Sequence, residues 1–114
     1  SPKDKDMYDD LEIVLEMYER GITFLPIDLY KSHATKFLLE DEGLRPPLNS
    51  ISGMGNVAAE SIYNAVHEEK PISSVEDLKK RAKIGNATID LLRKFGCLRG
   101  LPESDQMSFF DLVG

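Results

Sequence analysis

Two glycines frame a methionine in the stretch Ile51-Ser52-Gly53-Met54-Gly55-Asn56-Val57, directly ahead of a segment with helical apolar spacing. The first turn of a helix carries backbone N–H groups without intrahelical acceptors, at the positive end of the helix dipole. Bare backbone in front of such an end leaves room for an anion, phosphate above all, to reach those donors. Gly53 and Gly55 supply that clearance, Met54 is suited to plug the turn from inside, Ala59 permits close approach of two arms, and Ile62 seats the helix. A tight turn that needs glycine only for its φ angles explains the same letters, and spacing alone leaves both readings open.

A second group of residues bears on the choice. Lys79, Lys80, Arg81 and Lys83 lie beside Ile84-Gly85-Asn86, a one-glycine version of the same turn. The whole chain is acidic, with 14 basic and 20 acidic side chains and a formal charge of −6. Its distribution is uneven: residues 1–42 hold 5 basic and 11 acidic side chains, whereas residues 70–100 hold 8 basic and 3 acidic, a local +5. Attraction of phosphate follows the potential of one face rather than the molecular sum. The lysines taken singly are equally consistent with solvated surface.

The remaining reactive side chains suggest little chemistry. Asp9-Asp10 and Glu40-Asp41-Glu42 are acidic clusters, but the first opens a helix, where negative charge is favourable in any case. No catalytic residue and no metal ligand is assigned to them. The single Cys97 excludes an internal disulfide, and with only His33 and His67 beside it makes a poor metal set. Cys97 is expected to be a small buried apolar group and His33 to be solvated. No run approaches the roughly 18 apolar residues of a membrane span, and no signal peptide is evident. A reducing cytoplasm is the expected setting.

The elements that would carry these residues read as mainly α with a small β element. The opening SPKDKD is polar and expected to fray. Leu11, Val14, Leu15 and Tyr18 recur at helical steps, giving an amphipathic helix from Tyr8 to Arg20 that Gly21 ends in a left-handed cap. ITFLPIDLY reads as a short strand entering a turn, and Asp41-Glu42-Gly43 as the turn of a hairpin. Pro46-Pro47 marks a boundary. Beyond it, one helix runs from Asn56 to about His67, with Val57, Ala58, Ile62, Ala65 and Val66 on or near its apolar side. Ser73 and Glu76 have capping-box spacing for a helix through Leu78 towards Ala82, and Asn86 is placed to cap another that ends at Gly96.

These segments also carry a resemblance. Gly53, Met54, Gly55, Ala59 and Ile62 match the helix-hairpin-helix pattern, with Ser52 where that family often has proline, and a first helix reduced to Leu48–Ile51. The resemblance implies that Ser52 and the amides of Gly53, Met54, Gly55, Asn56 and Val57 hold the sugar–phosphate backbone of duplex DNA without reading bases. A degenerate second copy would add Gly85 and Asn86, with Lys79, Lys80, Arg81 and Lys83 alongside. On a larger scale, LEMYERGITFLPIDLYKSHATKFL, RPPLNSISGMG and SSVEDLKKRAKIGNATIDLLRKFGCLRGLP resemble, in order, the C-terminal end of PolC-type DNA polymerase III alpha subunits of Gram-positive bacteria. That resemblance implies three parts: residues 1–47 as the end of a fingers region, 48–100 as a tandem hairpin domain, and 101–114 as an extended tail. Gln106, Met107, Ser108, Phe109 and Phe110 are similar to the pentapeptide by which such subunits bind the sliding clamp, with Phe109 where leucine is usual. The implied partners are primer–template DNA, the clamp (beta subunit) and the rest of the polymerase. No cofactor is implied in this segment, and the magnesium of the parent enzyme would be held elsewhere. A protein-interaction module, or a hairpin module of a repair enzyme, are the competing readings.

Overall fold

The computed structural model describes residues 7–104. The opening SPKDKD and the pentapeptide Gln106 to Phe110 lie outside the described residues.

A small antiparallel sheet comes first, in the order β1 (Met7–Tyr8), β2 (Phe37–Glu40), β3 (Gly43–Arg45). Strands β2 and β3 form the expected hairpin, with Glu40 opposite Gly43 across Asp41 and Glu42. Gly43 has φ +154°, and a Cβ there would stand 2.2 Å from the Thr23 carbonyl oxygen. That crowding arises because Leu44 N donates to Thr23 O and Leu25 N to Leu44 O, each at 2.8 Å. The expected strand in ITFLPIDLY is thereby reduced to one parallel bridge, Phe24 to Leu44, and Pro26 has no N–H with which to extend it. Arg45 is buried, and its guanidinium grips both Glu40 carboxylate oxygens and the Pro26 carbonyl.

Helix α1 (Leu11–Glu19) begins where the Asp10 side chain accepts from Glu12 N, and ends at Gly21 with φ +95°. Gly21 N and Ile22 N donate to the Tyr18 and Met17 carbonyls, a Schellman ending. The expected inward face is not covered, however. Of Leu11, Val14, Leu15 and Tyr18 only Val14 is buried, and Leu11 is 61% exposed. Local signals suffice for the helix; covering its stripe needs another surface.

The helical part comes next: a single 3₁₀ turn (Leu48–Ser50), then α2 (Asn56–Val66), α3 (Val75–Ala82) and α4 (Asn86–Lys94). One core joins them, including Leu48, Ile51, Met54, Ala59, Ile62, Leu78, Ile84, Ile89 and Leu92. Leu29 and Ala34, from before Pro46, belong to the same core. The carbonyls of His33 and Ala34 also accept from Leu48 N and Asn49 N, at 2.8 and 3.0 Å. Regular structure stops at Pro46-Pro47, but packing runs across it.

Three local expectations shift by a residue or a face. Ser74, not Ser73, caps α3: its Oγ accepts from Asp77 N at 2.9 Å, and the Asp77 carboxylate accepts from Ser73 N at 3.1 Å. Glu76 takes no part, because with Ser74 as the cap the third helical position, where the reciprocal acceptor stands, is Asp77. Gly85 rather than Asn86 is the N-cap of α4, and Asn86 is its first helical residue. Val57, placed on the apolar side of α2 by periodicity, is 80% exposed, since it stands in the first turn beyond the edge of the core.

Candidate functional site

The four α-helices differ in what happens at their leading ends. At α3 the chain uses the donors itself: Val75 N and Glu76 N donate to the carbonyls of Pro102 and Glu103, and Asp77 N to Ser74 Oγ. At α1 the Asp10 carboxylate serves. At α2 and α4 no side chain caps the helix, and the first internal bonds are those of Ala59 N to Gly55 O and Ile89 N to Gly85 O. The amides of Gly55, Asn56, Val57 and Ala58, and of Gly85, Asn86, Ala87 and Thr88, have no acceptor among the described residues. That of Gly53 is likewise unpaired among them. Two helix ends are thus left open without any side-chain cap, one carries a single aspartate cap and one is closed by the chain itself.

Met54 departs from the expected set. Its amide donates to Ile51 O at 3.0 Å, closing the turn, so only its side chain has a role, buried as the expected plug. Ser52 lies exposed on the same turn.

The two open ends repeat one another at a spacing of 30 residues, since 83 − 53 = 85 − 55 = 30. Gly53 at φ +92° corresponds to Lys83 at φ +56°, the only non-glycine residue with positive φ among the described residues. Gly55 (φ −79°) corresponds to Gly85 (φ −92°), Met54 to Ile84, Ala59 to Ile89 and Ile62 to Leu92, each apolar pair buried. Asn49 Nδ2 donates to Asn56 Oδ1 at 3.0 Å, and Lys79 Nζ to Asn86 Oδ1 at 2.7 Å, the same link in both copies. Sequence reading placed Gly85 and Asn86, with Ile89 and Leu92 on the core side, in the second turn, but not Lys83 at the position of Gly53, and it left out Ala58, Ala87 and Thr88. The signal was available in the 30-residue offset, but a glycine pattern alone passes over Lys83.

The glycines separate by cause. Gly53 needs positive φ, and a Cβ there would touch Leu91 at 3.3 Å, so turn and packing both account for it. Gly55 and Gly85 have ordinary extended φ, and a Cβ on either would meet nothing within 4 Å. Serine or aspartate would be the better cap at such a position. Neither conformation nor internal packing calls for glycine there.

The basic stretch divides. Arg81 does not face a ligand: its guanidinium donates to the carbonyls of Ala65, Lys70 and Pro71, and to Asp77 and Glu68. Those carbonyls lie at and just beyond the end of α2, so Arg81 is an internal strut and leaves the candidate set. The Asp77 carboxyl is held below its usual range by the Ser73 amide first and by Arg81. Lys80 and Lys83 are exposed, and their ammonium groups make no hydrogen bond or ion pair with the described residues. Lys79 reaches only Asn86. Three cations of the four therefore remain beside the second open end.

Other candidates are structural. His33 is half-buried rather than solvated: Nδ1 accepts from Thr35 N and Lys36 N, and its ring lies 4.8 Å from that of Tyr63. Burial first, and then Lys36 and His67, lower its pKa. Cys97 is buried as expected, with its thiol pushed up to about 11 by desolvation. Among the described residues no three His, Cys, Asp or Glu side chains gather as a metal set, and no helix is long and apolar enough to cross a membrane.

Comparison with known proteins agrees with this geometry. The family profile described as "Helix-hairpin-helix motif" matches residues 21–107. A PolC-type DNA polymerase III of Caldanaerobacter subterraneus subsp. tengcongensis is 47% identical over 110 residues, 96% of this chain and 8% of the relative. Proteins of the same name from Thermotoga petrophila and Bacillus subtilis are 52% identical over 100 residues and 46% over 110. The chain spans less than a tenth of the length of these curated relatives, 7% or 8%.

Proposed function

Because the chain belongs to the helix-hairpin-helix family, we propose that it is a non-catalytic, duplex-holding module of a PolC-type replicative DNA polymerase. Two hairpins in tandem, residues 48–100, grip the sugar–phosphate backbone of primer–template DNA. The contacts are the amides of Gly53, Gly55, Asn56 and Val57 with Ser52 at the first hairpin. At the second they are those of Gly85 and Asn86, with Lys79, Lys80 and Lys83 adding charge. Nothing in such contacts distinguishes one base from another, so binding is independent of sequence. Nucleotidyl transfer, and the magnesium that serves it, belong to the remainder of the longer chain. Gln106, Met107, Ser108, Phe109 and Phe110 form the tail that engages the sliding clamp, with Phe109 and Phe110 entering an apolar groove as an extended peptide.

One observation carries the DNA-holding role: Gly55 and Gly85 stand in ordinary backbone over open space, each ahead of amides with no internal acceptor. The test is Gly55→Leu. With no neighbour within 4 Å, the side chain lowers stability by about 1 kcal/mol or less. It blocks the amides and weakens duplex binding at least tenfold, read by anisotropy across a salt series. A folded variant with unchanged affinity overturns the assignment.

A further inference from the structure

At the far end of α4, Phe95 stands between two clefts of about 550 and 400 Å³. Phe95, Gly96 and Arg99 line both, with Lys94 and Leu98 in the larger and Tyr30 at the rim of the smaller. Phe95 is 45% exposed. The Arg99 guanidinium lies over Gly96, where a Cβ would stand 3.3 Å from Nε. Lys94 and Arg99 make no ion pair with the described residues, and the carboxylate of Asp28 is already occupied by the amides of Tyr30 and Lys31. An aromatic ring and two unpaired cations thus face one groove.

The chain delivers a complementary segment to its edge. Residues 102 and 103 are pinned on α3 by two backbone bonds, and Glu103 clasps Arg93, itself a lining residue of the larger cleft. Beyond Ser104 the sequence holds Asp105 and Asp111, the apolar Met107, Phe109, Phe110, Leu112 and Val113, and no lysine or arginine. Five residues from Ser104 to Phe109 reach up to about 17 Å, ample for a groove that begins at Arg93.

We propose that this groove is the resting place of the chain's own C-terminal segment, residues 105–114, with its phenylalanines against Phe95 and its aspartates towards Lys94 and Arg99. Taken with the clamp reading of Gln106 to Phe110, on which this consequence rests, the groove and the clamp compete for one peptide. The tail is then held back until a clamp is present.

The test uses the 114-residue chain and its Phe109→Ala/Phe110→Ala variant, compared by amide chemical shifts. The expected result is displacement concentrated at Phe95, Gly96, Leu98 and Arg99, whether or not the clamp binds. A second variant, Phe95→Ala, strengthens capture by purified sliding clamp severalfold when the tail is the shared peptide. Groove resonances unchanged by Phe109→Ala/Phe110→Ala overturn the docking. So does a groove indifferent to that variant but displaced by a thymidine oligonucleotide, which assigns it to nucleic acid instead.

Discussion

Lys83 occupies the left-handed conformation that glycine takes in the first copy of the turn. A side chain there strains the backbone by about 1 kcal/mol. The second copy thus keeps the glycine that folding does not need, Gly85, and replaces by lysine the one that the turn would prefer. Lys83→Gly should raise stability by about 0.5–1 kcal/mol in urea melts while flattening the salt dependence of duplex binding by about one unit. Stability and binding move in opposite directions at that position. His33 gives a pH signature. Burial lowers its pKa from the ordinary 6.5, so folding favours the neutral ring, whose Nδ1 receives two amides. The associated stability is full above about pH 6.5, declines below it, and levels off beneath the lowered folded value. Urea melts from pH 7.5 to 5 should show that step, and His33→Gln should remove most of it.

At the scale of elements, Arg81 ties the end of α2 to α3 through three backbone carbonyls. Arg81→Ala should lower the melting temperature by several degrees while leaving the salt dependence of DNA binding, measured well below the melt, unaltered. Most elements were legible because each depends on signals within a few residues: Gly21 and Gly96 as helix ends, Asp41-Glu42 as a hairpin turn, and α2 to α4 from their apolar steps. The misses depended on groups far along the chain. Arg81 reads as one more surface cation until the loop at 68–71 folds back over it. The bridge at Phe24 depends on Leu44, and the apolar stripe of α1 finds no covering surface among the described residues. Of the open ends, glycine spacing located the first, although the Met54 amide is bonded to Ile51 O and Ala58 was not in the expected set. The second was visible only in part, because Lys83 adopts a conformation that its identity does not advertise.

Across the whole molecule, charge is segregated rather than balanced, and one core joins residues on both sides of Pro46-Pro47. Leu29 is 1% exposed within the helical core although it precedes that break by 17 residues (46 − 29). Leu29→Ala should destabilise the helical part by about 2–4 kcal/mol, and hydrogen exchange should show α2, α3 and α4 losing protection together. Confinement of the loss to the Leu29 loop would instead mark Pro46 as a true folding boundary. Cys97 has a practical consequence. With the only native sulfhydryl shielded and its ionisation pushed up to about 11, a thiol introduced in place of the exposed Val57 would be the single fast-reacting one. A fluorophore could then be attached beside the first open helix end without altering any other residue.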